Sequence, residues 1–81
     1  MDDKTIHQRI TELVAEEHEL RSALQAGSVS GEEERGRLRS AEESLDQLWD
    51  LLRQRQAKRD AGLDPDDASE RPVSEVEGYR Q

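Results

Sequence analysis

Two stretches of the chain carry the same pattern of apolar and polar positions. In the first, Ile6, Ile10, Leu13, Glu17, Leu20 and Leu24 follow one another in steps of 4, 3, 4, 3 and 4. In the second, Glu34, Leu38, Ala41, Leu45, Leu48 and Leu52 repeat the same steps. Alternating steps of three and four lay a narrow apolar seam along one side of an α-helix, the heptad pattern of helices that pack side by side. No glycine or proline falls between Met1 and Ala26, and only Gly36 interrupts residues 32–61. The polar run Gly27-Ser28-Val29-Ser30-Gly31 separates the two. The pattern predicts helix, turn, longer helix and then an irregular tail.

The helix ends carry their own signals. Asp2 or Asp3 is placed to cap the first helix. Ser30 and Glu33 stand three apart, the spacing of a capping box at the start of the second. Arg53, Arg55, Lys58 and Arg59 meet the negative end of the second helix dipole. Gly62 is a left-handed stop, with Leu63 placed to fold back on the last turn. If the chain reverses at Val29, residues whose numbers sum to 58 face one another. Ile6 then meets Leu52, Ile10 meets Leu48, Leu13 meets Leu45, Glu17 meets Ala41, Leu20 meets Leu38 and Leu24 meets Glu34. Seam, turn and caps agree on one register, and agreement across levels is what specifies a fold. The expectation is an all-α protein: an antiparallel two-helix coiled-coil hairpin over residues 1–61, with the turn at about 27–31, and an acidic tail over 62–81 with short helical turns.

A seam this narrow is a small core for roughly sixty ordered residues. Val14 and Trp49 lie just outside it on one flank, together with His7 and His18, and Leu51 lies on the other flank. The Trp49 flank is therefore expected to be covered, most simply by a second copy that completes a four-helix bundle.

Composition narrows the picture. Of 81 residues, 31% are hydrophobic and 40% charged, and the net charge is −8. One small domain is the limit at this length. The absence of cysteine excludes disulfides and thiolate metal sites. No apolar run is long enough to span a membrane, and acidic Asp2 and Asp3 stand where a signal peptide would be basic, so a cytoplasmic protein is expected. The charge is uneven. Residues 1–34 carry nine acids and three bases, residues 35–59 seven bases and four acids, and residues 60–81 seven acids and two bases. The basic stretch Arg53–Arg59 is followed at once by Asp60, Asp64, Asp66 and Asp67, which argues against free nucleic-acid binding.

Catalytic signatures are missing. The sequence has no glycine-rich phosphate loop, no nucleophile elbow and no HExxH, and no serine has a histidine at a suggestive local spacing. A two-helix chain also offers no cleft. The reading is therefore a non-enzyme without a cofactor. Acidic four-helix bundles that hold two metal ions use Glu-x-x-His pairs, but Ala15 precedes His18 and Lys4 precedes His7 at that spacing. The one acid inside the central seam is Glu17, beside His18. A carboxylate site at a dimer axis is the alternative reading of that pair, and an ion pair with an arginine that fixes register is the plainer one. Glu32, Glu33 and Glu34 form an acidic hairpin tip that complements the helix dipole. A second alternative, by shape alone, is an acidic-tipped hairpin acting on a larger machine such as RNA polymerase.

The tail has structure signals of its own. Asp64-Pro65 reads as a helix start running to about Glu70, and Ser74 with Glu77 as a second capping box closed by Gly78. Leu63, Val73, Val76 and Tyr79 are apolar handles for docking near Trp49 or for another protein, and a disordered acidic terminal segment is the alternative reading.

Four segments carry a resemblance: Met1-Asp2-Asp3-Lys4-Thr5-Ile6, the stretch from Leu13 to Arg21, the stretch from Leu45 to Arg55, and Arg71-Pro72-Val73-Ser74-Glu75-Val76-Glu77-Gly78-Tyr79. With them the chain resembles, over nearly its whole length, a family of small actinobacterial proteins catalogued as domain of unknown function 2630. The resemblance implies a cytoplasmic actinobacterial protein to which the tail belongs, and it brings no catalytic or binding residues with it. Ten arginines against two lysines fit a GC-rich genome. The function expected is that of a protein-interaction adaptor or small regulator acting as a homodimer. Its interaction residues would be Val14, Trp49, Leu51, Val73, Val76 and Tyr79, and its partner a protein not identifiable from sequence.

Overall fold

A computed structural model describes residues 1–27 and 31–78. Helix α1 spans Asp3–Gln25 and helix α2 spans Glu32–Asp60. A single 3-10 turn, Pro65–Asp67, and a short helix α3, Val73–Gly78, follow. No strand occurs among the described residues. The molecule measures 50 × 26 × 15 Å, so its thin dimension holds little more than one helix diameter.

Asp2 caps α1: its carboxylate accepts the Thr5 amide at 2.7 Å. The start of α2 differs from expectation. Its cap position is Gly31, at φ +136° and without a side-chain cap bond. The expected cap Ser30 and the reversal point Val29 lie outside the described residues. Three glutamates in the first turn complement the dipole. At its other end α2 closes as a Schellman motif. The Leu63 amide donates to the Lys58 carbonyl at 2.7 Å and the Gly62 amide to the Arg59 carbonyl at 3.0 Å. This geometry needs the φ of +74° that Gly62 adopts. Leu63 stays exposed beside Gln54, Ala57 and Lys58.

The two helices run antiparallel. Arg55 near the end of α2 pairs with Asp3 at the start of α1, and Arg21 near the end of α1 pairs with Glu42. The predicted seams make the core. Ile6, Ile10, Leu13, Ala41, Leu45 and Leu48 are buried, while Glu17, Leu20, Leu24, Glu34, Leu38 and Leu52 are half-buried. The seam is tightest at the end away from the turn, and there the tail joins it, with Ala68 packing against the core cluster.

The tail departs from expectation in three ways. The helical turn begun by Asp64, which accepts the Asp66 amide at 2.9 Å, ends at Asp67 and does not run to Glu70. Helix α3 begins at Val73 and not behind Ser74, because the Pro72 carbonyl accepts the Glu75 and Val76 amides. The tail is also bonded along a polar stripe of α2 and not laid over Trp49. Gln47 donates to the Arg71 carbonyl at 3.1 Å, Gln54 to the Ser69 carbonyl at 2.7 Å, and Arg71 grips the Asp50 carboxylate with two nitrogens. Leu51 and Val76, expected on intermolecular surfaces, are instead buried inside the chain at 5% and 3% exposure.

Candidate functional site: an acidic groove at Trp49

Helix α2 is the centre of the molecule, and its neighbours leave one flank open. About 100° of rotation per residue separates its faces. Leu45, Leu48 and Leu52 face α1, while Gln47, Asp50 and Gln54 hold the tail. Between these two faces lies the flank that carries Trp49. A groove of about 480 Å³ opens there, lined by Glu17 of α1, by Arg39, Glu42, Glu43, Leu45, Asp46 and Trp49 of α2, and by Glu77 of α3. Trp49 remains 44% exposed. The His7 ring stands edge-on to it, with centroids 6.3 Å apart and planes at 78°.

Arg21 organises the far end of the groove. Its guanidinium lies 3.5 Å from Glu17 on its own helix and 2.6 Å from Glu42 on the facing helix. Glu17 thus takes the arginine pairing that was the plainer sequence reading. His18 is exposed, and no group of three or more histidines and carboxylates among the described residues is arranged to hold a metal ion. Among the described residues the lining contains no hydroxyl, thiol or imidazole. Five carboxylates face Arg39 and Arg21, so the groove is electronegative around an apolar floor of Leu45 and Trp49.

Two further polar centres hold the walls in place. Arg55, its side chain 6% exposed, donates to Asp3 at 2.5 Å, to the Pro65 carbonyl at 3.1 Å and to Asp66 at 2.9 Å. Arg59 reaches Asp3 at 2.6 Å. Hydrogen bonds from Arg59 and Arg55 hold the Asp3 carboxyl down at about 2, and the Asp3 and Asp66 carboxylates push the Arg55 guanidinium up. The Arg71 clamp likewise lowers Asp50, with help from a Gln54 hydrogen bond at 2.9 Å.

A family model described as "Protein of unknown function (DUF2630)" matches residues 2–81. The chain belongs to the DUF2630 family. It is 54% identical, over 70 residues, to uncharacterised proteins of Mycobacterium bovis and Mycobacterium tuberculosis, covering 86% of this chain and 80% of each relative. No solved structure gives a significant match. No helix among the described residues is long and apolar enough to cross a membrane.

In this DUF2630 protein the residues expected on interaction surfaces separate into two sets. Trp49 and Val14 are exposed, and Val14 lies on the His7 face of α1, two turns along. Leu51 and Val76 are internal, Val73 is half-buried beside them in sequence, and Tyr79 lies outside the described residues. The polar centres Asp50, Arg55 and Arg71 were not among the expected residues. For Arg55 a signal was present. One more step of three beyond Leu52 reaches 55, one step before Ile6 reaches 3, and these two numbers also sum to 58.

Proposed function

We propose that the protein is a non-enzymatic interaction module, an adaptor or small regulator, whose working surface is the Trp49 groove. One observation carries this reading. The chain has a single tryptophan and buries Leu51 two positions further along the same helix, yet leaves Trp49 44% exposed in a groove. Isolated exposed apolar residues are ordinary, but a tryptophan seated in a walled, partly apolar groove is the type of side chain that dominates protein interfaces.

The sequence argument for a second copy rested on an unfinished flank. The docked tail adds Ala68 to the core cluster on another face of α2 and leaves Trp49 exposed. Self-association through the Trp49 groove would also set carboxylates against a second chain of net charge −8. The partner proposed is therefore a different protein.

The test is capture of partners from the native host with the wild-type protein, with Trp49→Ala and with Leu63→Ala, an exposed apolar residue outside the groove. The expected result is a partner retained by wild type and Leu63→Ala and lost by Trp49→Ala. Identical partners on all three would remove the groove from the account.

A further inference from the structure

We infer that the Trp49 groove receives a basic amphipathic helix of the partner protein, about three turns long. This deepens the proposed function and rests on it. The groove's length comes from α2, whose lining residues run from Arg39 to Trp49, about 15 Å of helix axis. A helix is the fitting shape because the groove has helical walls on two sides, α1 through Glu17 and α3 through Glu77. A β-strand would need an unpaired sheet edge, and no strand exists among the described residues.

Charge selects the helix. Five carboxylates reach the groove from all three helices, against two cations, Arg39 in the lining and Arg21, which bridges Glu17 and Glu42. Lysine or arginine on the flanks of an incoming helix would meet these acids, and an aliphatic anchor would cover the exposed part of Trp49. The same field repels phosphate and anionic lipid headgroups. It also disfavours a second copy of this chain. Within the chain's own basic run, Arg55 and Arg59 are held by Asp3 and Arg55 also by Asp66.

Trp49 is the only tryptophan, so its emission reports on the groove. The probes are two synthetic helical peptides of about 14 residues with leucines at identical positions, one bearing lysines and the other glutamates. The lysine peptide is expected to shift Trp49 emission to the blue and to saturate. The double variant Glu42→Lys/Asp46→Lys, shown folded by circular dichroism, should weaken it by about tenfold or more. Glu32→Lys/Glu33→Lys at the hairpin tip makes the same change of net charge and should stay within about twofold of wild type. Calorimetry on Trp49→Ala supplies a second reading that alters no charge, with weaker binding expected. Equal binding of the glutamate peptide overturns the inference, as does equal weakening by the tip variant. A dimer in sedimentation equilibrium that Trp49→Ala abolishes also overturns it, by assigning the groove to a second copy. If Trp49→Ala loses a host partner while the lysine peptide fails to bind, the basic helix is wrong and the interaction module stands. If neither result appears, both fall.

Discussion

Arg55 donates from Nε to the Asp3 carboxylate at 2.5 Å, joining residues 52 apart in sequence. The same guanidinium bonds the Pro65 carbonyl and Asp66, so one side chain ties α1, α2 and the 3-10 turn together. A planar fork serves these directions at once, whereas an ammonium is a point charge on a flexible stem. Arg55→Lys should therefore lower the thermal midpoint although the charge is kept, and Arg55→Ala should lower it further. Thermal melts by circular dichroism check the order. Equal stability of wild type and Arg55→Lys would show that the fork does not matter.

Acid should weaken the same junction. The folded Asp3 carboxyl sits at about 2, below its ordinary 3.8, because Arg59 and Arg55 donate to it. Asp50 is lowered by Arg71, and Asp2 by the hydroxyl and amide of Thr5. In this window the folded state binds fewer protons than the unfolded state, so stability rises with pH. The contribution is complete above about pH 4 and is lost as pH falls toward 2. Melts between pH 5 and pH 2 should show the midpoint falling through this window, and Asp3→Asn should flatten the fall. An unchanged slope in Asp3→Asn would place the acid sensitivity elsewhere.

How much of this could be read from the sequence depends on whether a residue's partner lies along a helical period. Ile6, Ile10, Leu13, Leu45 and Leu48 declare themselves by steps of three and four, and they are buried. Asp3 and Arg55 lie on the same period, but as charges they read as cap and dipole complement. Asp50 and Arg71 have no period in common. Their pairing depends on where a tail of 3-10 turn and extended chain brings residue 71, and local spacing does not encode that path. Leu51 and Val76 looked like outward handles for this reason: the tail, whose Ala68 packs on the core cluster, has no apolar repeat. Trp49 was legible as a flank residue, but its groove needs α3 as a wall, and that wall comes from the tail.

The tail should detach when its clamp is removed. Arg71 grips both oxygens of Asp50, which is 3% exposed. Arg71→Ala leaves that carboxylate with Gln54 but without its cation, at a cost of about 2 kcal/mol. Hydrogen exchange should show faster amide exchange in residues 73–78, with α1 protected as before. Asp50→Leu/Arg71→Met should recover much of the loss, because an apolar pair needs no compensation for burial. Failure of that double variant to improve on Arg71→Ala would mean that the tail is held by Gln47 and Gln54.

Leu51 and Trp49 stand two apart on α2 and should behave oppositely. Leu51 belongs to the core cluster against which Ala68 of the tail packs, so Leu51→Ala should cost about 2–4 kcal/mol in urea unfolding. Trp49 keeps 44% of its surface in water, and among the described residues its ring contact is with His7. Trp49→Ala should cost about 1 kcal/mol, the scale of one aromatic contact. A loss for Trp49→Ala as large as that for Leu51→Ala would make the indole a structural residue and weaken the case for a binding groove.

Two glycines make the last test, because the same substitution should change stability in opposite directions. An added Cβ meets no atom within 4 Å at either Gly36 or Gly62, so sterics against neighbours do not decide the sign. Backbone conformation does. Gly36 lies within α2, where alanine restricts the unfolded chain and improves helix propensity, and Gly36→Ala should gain about 0.5–1 kcal/mol. Gly62 holds φ +74° in the Schellman motif that ends α2. An L-residue pays about 1–2 kcal/mol there, and the entropy gain of up to about 1 kcal/mol offsets only part of it. Gly62→Ala should therefore lower stability by about 1 kcal/mol in urea. It should also loosen the tail, because the direction in which the chain leaves α2 fixes where Asp66 meets Arg55. A stabilising Gly62→Ala would mean that the left-handed stop is not what aims the tail back along α2.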